Sequence, residues 1–511
     1  MWRGARDEHL HVERPDAGAS RATSFPDFAS TARGLTVTRT ASPEAELLHQ
    51  WLSEHRTELL DELIGWARLR SVVGPPEHDI DLRRSAQWLA GELRDTGFPT
   101  VEVWPTQGGP AVYAEWCSVA DAPTVLVYSH HDVRAAKDEE WEQCPPFEPA
   151  LREGRLFGRG TSDAKGQVLA HIWAVRAILA AGAPHPPVNL KVLVEGEEEV
   201  GSPNLADLLQ THRDRLDADL IVLSDTMIWR ADVPAVCLGI RGLVQAQVEI
   251  LGPLTDFHGG VVAGVAPNPA TELVRVLGRL HRDDGTIAID GFYDDVRDSP
   301  ADELAELSRL PSEDWVERTC SRSAGGEDGR LLVERLWLRP SVEVIALVAG
   351  DSEGPSRGTI PSVASAHIQF WIVPDQDPQA VSERIRSWIA SMVSDRFAFR
   401  VTIQEELNQP PYSTPRGHPA VPVLAEAMSD AFGTPAQHMR NGGGAPAALL
   451  AGQLDLPVLF FGTGLPEDRW HDSEESINID VLMSGVVTMA LFWQRWRTSA
   501  EAAPPPCSDG R

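Results

Sequence analysis

Apolar residues in the first part of the chain recur at helical spacing and then give way to short continuous runs. Over residues 44–72, Leu47, Leu48, Trp51, Leu52, Leu59, Leu60, Leu63, Ile64 and Trp66 predict an amphipathic helix opened by Ser42-Pro43. A second helix is predicted over 82–97, ended by Gly97-Phe98-Pro99. Strands are predicted at 100–104, 111–116 and 124–128, the last being the β-prone run Val125, Leu126, Val127 and Tyr128. An Ala-rich helix over 166–182 and strands at 188–195 and 219–224 follow. Strands alternating with helices predict an α/β layer structure with a mostly parallel sheet, in which functional groups collect at strand carboxyl ends.

The pattern changes after Arg241-Gly242. A strand at Val244–Leu251, a helix at about 269–282 and an acidic irregular stretch to about 338 come first. Strands at 342–348 and 364–373, a helix at 377–393 and a strand at 398–406 complete a βαββαβ-like order. That order predicts a small α+β two-layer domain, residues 243–409, inserted between the two parts of the first domain, 44–242 and 410–498. The second part reads as helix 419–431, a Gly-rich turn Asn441-Gly442-Gly443-Gly444, helix 445–451, strand 456–461, a loop holding His471 and helix 479–496. Residues 1–43 are polar, without the apolar core of a secretory signal. They are expected to be a disordered leader or the product of a start codon assigned too early. The Pro-rich tail 499–511 is expected to be disordered.

Charge narrows the function. The 511 residues carry 75 acidic against 45 basic groups, a formal net charge of −30. Phosphate binding needs a basic surface, so nucleic acid is not an expected partner. No apolar run reaches the roughly 18–20 residues of a membrane span. The five cysteines are scattered, with no CxxC pair. This argues against a disulfide framework or cysteine zinc site and for reduced thiols in the cytoplasm.

Candidate chemistry lies at the strand ends. Side chains alternate along a strand, so His130 and Asp132 project to one side and His131 to the other. His-x-Asp at a buried strand's end suits a metal site, the imidazole binding and the carboxylate orienting its ring. Asp163 sits in the Gly-punctuated turn 158–166; Glu197-Glu198-Glu199, Asp225 and His471 lie at other strand ends or loops. Taken singly, each has a bland reading: a hydrogen-bonded histidine, a turn-forming aspartate, a solvated acidic turn, a helix or turn cap, an ordinary loop histidine. Together, three acids and two histidines in one α/β layer are the donor set of a pair of zinc ions. Two metals roughly 3.5–4 Å apart call for a shared carboxylate. Nitrogen and oxygen donors suit manganese and cobalt as well.

The segments SHHDV, WEQCPPFEPALREGRLFGRGTSDAKG, EGEEEVGS, SDT, LGIRG, DFHGG, GFYDDV, ERLWLRPSVEV, IVPDQDP and WHDSEE occur in this order across roughly residues 45–497. In these segments the chain resembles the dinuclear-zinc metallopeptidase family of carnosinase, cytosolic nonspecific dipeptidase, glutamate carboxypeptidase and aminoacylase, and within it the dipeptidase branch. The resemblance implies a zinc-peptidase-like catalytic domain and an inserted lid and dimerisation domain. It implies that His130, Asp163 and Asp225 bind one metal, and that Glu199, Asp163 and His471 bind the other. Asp132 would stand behind His130. The residues alone leave the choice within Glu197–Glu199 open; the family's Glu-Glu-x-Gly-Ser register puts the general base at Glu198 and the ligand at Glu199. His258 would reach the active site of a second subunit and stabilise the oxyanion. The implied activity is hydrolysis of an amide bond in a dipeptide or similar small substrate by a homodimer. A deacylase of N-acyl amino acids or a carbamoyl-amide hydrolase on the same scaffold is the alternative, and a catalytically silent metal-binding protein the remote one.

Two positions depart from the family pattern. Trp371 stands where a lid arginine grips the substrate carboxylate, and Gly444 replaces a serine in Arg440-Asn441-Gly442-Gly443-Gly444-Ala445-Pro446. Arg440, Gly443 and Trp371 are the candidate substrate-binding residues. The departures read either as drift, or compensation by another cation, or as an altered substrate with a bulkier or less anionic carboxyl-terminal side, such as an ester, amide or N-acyl compound.

Overall fold

The computed structural model describes residues 42–74, 78–319, 325–350 and 357–502. Most of the expected leader and tail therefore lies outside the described residues. Ser42 accepts a hydrogen bond from the Ala45 amide (3.2 Å) and Pro43 fills the first helical position, as the sequence predicts. The single helix expected over 44–72 is two, Pro43–Glu54 and Arg56–Ala67. They meet at His55, whose ring stacks on Trp51 and bonds the Trp51 carbonyl oxygen at 2.8 Å.

The main sheet has six strands in the order Thr100–Trp104, Ala111–Trp116, Asn189–Glu195, Thr124–His130, Leu220–Leu223 and Val458–Phe460. The first two are antiparallel additions; the last four run parallel. Both faces are covered, which is why these strands read as continuous apolar runs. Val125, Val127, Val192 and Val194 pack with Ile172 and Trp493 on one face, while Leu126, Tyr128, Leu193, Ile221 and Leu223 pack on the other.

Eight strands of the described residues lie outside the expected ones, among them Ala235–Ile240 and Gln437–Asn441. Ala235–Ile240 contains Gly239, and Gln437–Asn441 is polar, so neither shows a strand pattern; they pair in parallel and carry Asn441 to the sheet's rim. A small antiparallel sheet of Ala150–Arg152, Arg155–Phe157 and Ser476–Asn478 holds the His471 loop over the turn containing Asp163.

The inserted domain is a four-stranded antiparallel sheet ordered Ser341–Ala349, Val363–Ile372, Gly242–Leu251 and Ala398–Ile403. Helices Pro269–Leu277 and Pro378–Met392 cover one face through Leu273, Val276, Val381, Ile385 and Ile389. The stretch expected to be irregular holds three short helices, Ala301–Leu307, Trp315–Arg318 and Leu332–Trp337. Its Leu307, Leu310, Val333 and Trp337 join the same apolar cluster as Leu223 and Met439, so this stretch packs on the main sheet's side. The last helix runs to Ala502, beyond the expected end at 496. No helix among the described residues is long and apolar enough to cross a membrane.

Candidate metal centre

The carboxyl edge of the parallel sheet gathers the candidate ligands. His130 ends its strand fully buried; its Nε2 lies 3.2 Å from Asp163 Oδ1 and 3.7 Å from Asp225 Oδ1. His471 comes from the other part of the domain, with Nε2 3.0 Å from Asp163 Oδ2 and 3.1 Å from Glu199 Oε2. Two triads result, His130–Asp163–Asp225 and Asp163–Glu199–His471, each with donor atoms within 4.8 Å of one another. Asp163 belongs to both. Its buried Oδ2 faces His471 without hydrogen-bond alignment, and no other donor among the described residues meets it. A buried carboxylate oxygen so exposed to cost is one that a cation would satisfy. The imidazole and carboxylate donors fit zinc, manganese or cobalt.

Asp132 supports both halves. Its Oδ1 lies 3.4 Å from His130 Nδ1, and its two oxygens accept the backbone N–H groups of Glu198 (3.2 Å) and Glu199 (3.0 Å). Burial opposes the charging of His130, yet the carboxylates of Asp132, Asp163 and Asp225 hold its pKa well above the usual value. His131 points away, as alternation predicts: its Nε2 meets the Pro110 carbonyl oxygen at 2.8 Å, and burial lowers its pKa to about 4.

The acidic turn sorts itself by partners. Glu197 accepts from Thr106 Oγ1 (2.9 Å) and Asn204 Nδ2 (2.9 and 3.0 Å), a structural role. Glu199 enters a ligand triad. The Glu198 carboxylate has no protein hydrogen-bond donor among the described residues; burial, then the neighbouring Asp225 charge, hold its pKa well above the carboxylate range. Such an acid is suited to exchange protons.

The turn bearing Asp163 is fixed by a residue the sequence reading missed. Glu475, fully buried, accepts the backbone N–H groups of Gly160, Ser162 and Asp163 (each 3.1 Å) and an Arg159 N–H (2.7 Å). Burial raises its pKa to about 7 against the lowering effect of Arg159. The turn also needs Gly160, at φ +82°, where a Cβ would come within 2.6 Å of Val133 Cγ1. The peptide after Asp163 is cis. Glu475 stands in WHDSEE beside the expected ligand, but nothing in that string separates it from its acidic neighbours.

The remaining candidates lie elsewhere. His258 is exposed on a two-residue strand of the inserted domain, its Nδ1 accepting from the Gly260 amide at 3.1 Å, and it does not join the ligand cluster. Arg440 is not free to grip a carboxylate as expected. Its Nε and Nη2 each sit 2.8 Å from Glu303 Oε1, and Nη1 donates to Ser413 Oγ at 2.7 Å. Gly443 donates its N–H to Asn441 Oδ1 (3.0 Å), and Asn441 Nδ2 donates to Thr226 Oγ1 (3.0 Å) beside Asp225. Trp371 lies under Arg241, whose guanidinium carbon is 5.0 Å from its ring centre. A Cβ at Gly444 would meet the flexible end of Gln409, with Oε1 at 1.8 Å, so a serine there would displace that side chain.

Fold and site together define a class: an α/β protein with a candidate two-metal centre at the carboxyl edge of its sheet and a second α+β domain. Residues 126–495 match the peptidase family M20/M25/M40, and the chain belongs to it. It is 26% identical to the Beta-Ala-His dipeptidase of Rattus norvegicus over 468 residues, covering 88% of this chain and 94% of the rat protein. It is 26% identical to a Cys-Gly metallodipeptidase of Schizosaccharomyces pombe over 403 residues, 77% of this chain and 84% of the yeast protein. The crystal structure of human carnosine dipeptidase 1 superposes with a TM-score of 0.81 at 26% identity, covering 90% of this chain and all (100%) of the human one.

Proposed function

We propose that this protein is a metal-dependent peptidase that hydrolyses the amide bond of dipeptides or similarly small substrates. The observation that carries the reading is the pair of triads sharing Asp163, with the unpartnered acid Glu198 beside them. The dipeptide substrates named for the relatives support the substrate size. Two divalent ions, zinc first among them, would be held by His130, Asp163 and Asp225 and by Glu199, Asp163 and His471. When bound, such a pair lowers the pKa of water and polarises a carbonyl. Glu198 takes the proton of the attacking water and delivers it to the leaving amine. Asp132 keeps His130 oriented and, through two backbone amides, fixes Glu198 relative to Glu199. The metal-loaded protein is expected to hydrolyse β-Ala-His or Cys-Gly faster than N-acyl amino acids, and to lose activity at least about a hundredfold with a chelator. Metal-loaded protein inactive on the dipeptides would sink this reading, and preferential cleavage of N-acyl compounds would transfer it to the deacylase alternative.

We also propose a homodimer through the inserted domain. The edge strand Ser341–Ala349 leaves Val344, Ile345, Leu347 and Val348 about half exposed, an apolar edge of the kind that pairs with another strand. In that assembly His258 would stabilise the oxyanion in the partner's site. Sedimentation should give twice the chain mass, and Leu347→Lys should shift it toward the monomer; a wild-type monomer at micromolar concentration refutes the dimer. The described cysteines, Cys117, Cys144 and Cys237, are free thiols, which supports a cytoplasmic location checkable by cell fractionation.

A further inference from the structure

We propose that Arg134 receives a carboxylate of the substrate and so determines specificity, an inference that rests on the peptidase reading above. Arg134 follows directly on the strand-end segment His130–Val133, whose Val133 N–H is tied to the Ser71 carbonyl oxygen at 2.9 Å. From there its Nε donates to Glu199 Oε2 at 2.7 Å, the same oxygen that lies 3.1 Å from His471 Nε2. The guanidinium is thus held at the rim of the ligand cluster, while the Arg134 side chain remains 49% exposed. A guanidinium has five N–H donors. Only the one on Nε is engaged here; Nη1 and Nη2 have no protein partner among the described residues.

The other cations around the centre are spoken for. Arg159 is buried against Glu475 and the Asp472 carbonyl oxygen. Lys165 donates to the carbonyl oxygens of Trp66 and Leu69. Arg440 is closed by Glu303 and Ser413. Arg241 donates to the Gly442 carbonyl oxygen (3.0 Å) and Ser341 Oγ (3.1 Å) and is stacked on Trp371. On the Asp225 side, Thr226, Asn441 and Gly442 lead to Arg241, whose guanidinium is covered by the Trp371 ring and tied to protein oxygens through Nε and Nη1. The Glu199 side ends in a fixed guanidinium with an open pair of nitrogens. That fork matches a carboxylate bidentately, and the Nε bond to Glu199 already restrains the long side chain, so less rotamer freedom is lost on binding. The carboxylate has two sources, the terminal group of the peptide or an acidic side chain.

Steady-state kinetics on Ala-Ala, Ala-Ala amide, Glu-Ala and Gln-Ala separate them, with the parent protein and the Arg134→Leu, Arg134→Lys and Arg134→Glu variants each assayed at measured metal content. The parent should favour the anionic member of one pair by about ten- to a hundredfold in kcat/KM, free over amide for the terminal group or Glu over Gln for the side chain. Arg134→Leu should collapse that ratio chiefly through KM, Arg134→Lys should keep part of it, and Arg134→Glu should invert it. An unchanged ratio in Arg134→Leu overturns the inference. So does a parallel loss on both members with loss of metal, which would make Arg134 only a support for Glu199. Turnover by the parent without discrimination in either pair overturns this inference alone. No turnover of any probe by metal-loaded parent removes the peptidase reading and this inference with it.

Discussion

Glu198→Gln is expected to keep its metal and lose hydrolysis by about 10²–10⁴-fold, the usual worth of a positioned general acid–base group. The amide is nearly isosteric with the acid, so the turn it stands in need not change. Glu198 contributes its backbone N–H to Asp132, which the substitution leaves intact, and its carboxylate binds no protein donor among the described residues. The loss should therefore fall on kcat, with metal stoichiometry by elemental analysis equal to the parent's. Near-normal turnover would remove Glu198 from its role. The same experiment on Glu197→Gln serves as contrast: Glu197 is bonded to Thr106 and Asn204, so its effect should appear in stability more than in kcat.

Asp163→Asn should disable both candidate metal triads at once. Each triad depends on an Asp163 oxygen, Oδ1 toward His130 and Oδ2 toward His471. An amide offers one oxygen and turns an NH₂ group toward one of the two imidazoles, and it removes a negative charge from between them. Activity is expected to fall by at least about 10³-fold. A second readout is thermal. Added zinc should raise the melting temperature of the parent, because a ligand present at about 1,000 times its Kd stabilises the native state by about 4 kcal/mol. It should leave the variant's melting temperature nearly unmoved. One equivalent of zinc held at parental affinity by Asp163→Asn would show that the two triads do not share this residue.

Legibility in the sequence followed the physics of each signal. Strands buried on both faces announce themselves as apolar runs, so Val125–Tyr128 and the strands beside it were readable, and with them the carboxyl edge where ligands gather. Mostly parallel α/β architecture with an inserted α+β domain is what the chain forms, and the peptidase family is what its motifs resemble and what residues 126–495 match. Gln437–Asn441 was illegible because its strand character comes from pairing with Ala235–Ile240 rather than from its own polar side chains. Alternation along a strand separated His130 from His131. It could not choose among Glu197, Glu198 and Glu199, because their turn has no period; that choice needs the partners of Glu197, Asn204 seven residues on and Thr106 91 positions away. The closure of Arg440 by Glu303 was hidden for the same reason, being a contact across 137 positions.

Glu475 reaches Asp163 across 312 positions of sequence. Closing so long a loop is entropically costly and comes late relative to local contacts. During synthesis the turn carrying Asp163 leaves the ribosome long before the acid that shapes it, and before His471. The centre is in that sense a seal on the finished chain: its shared carboxylate acquires its full set of partners only when the second part of the domain has folded back onto the first. An interrupted chain would then carry the first half of the centre without His471 and Glu475, which complete it.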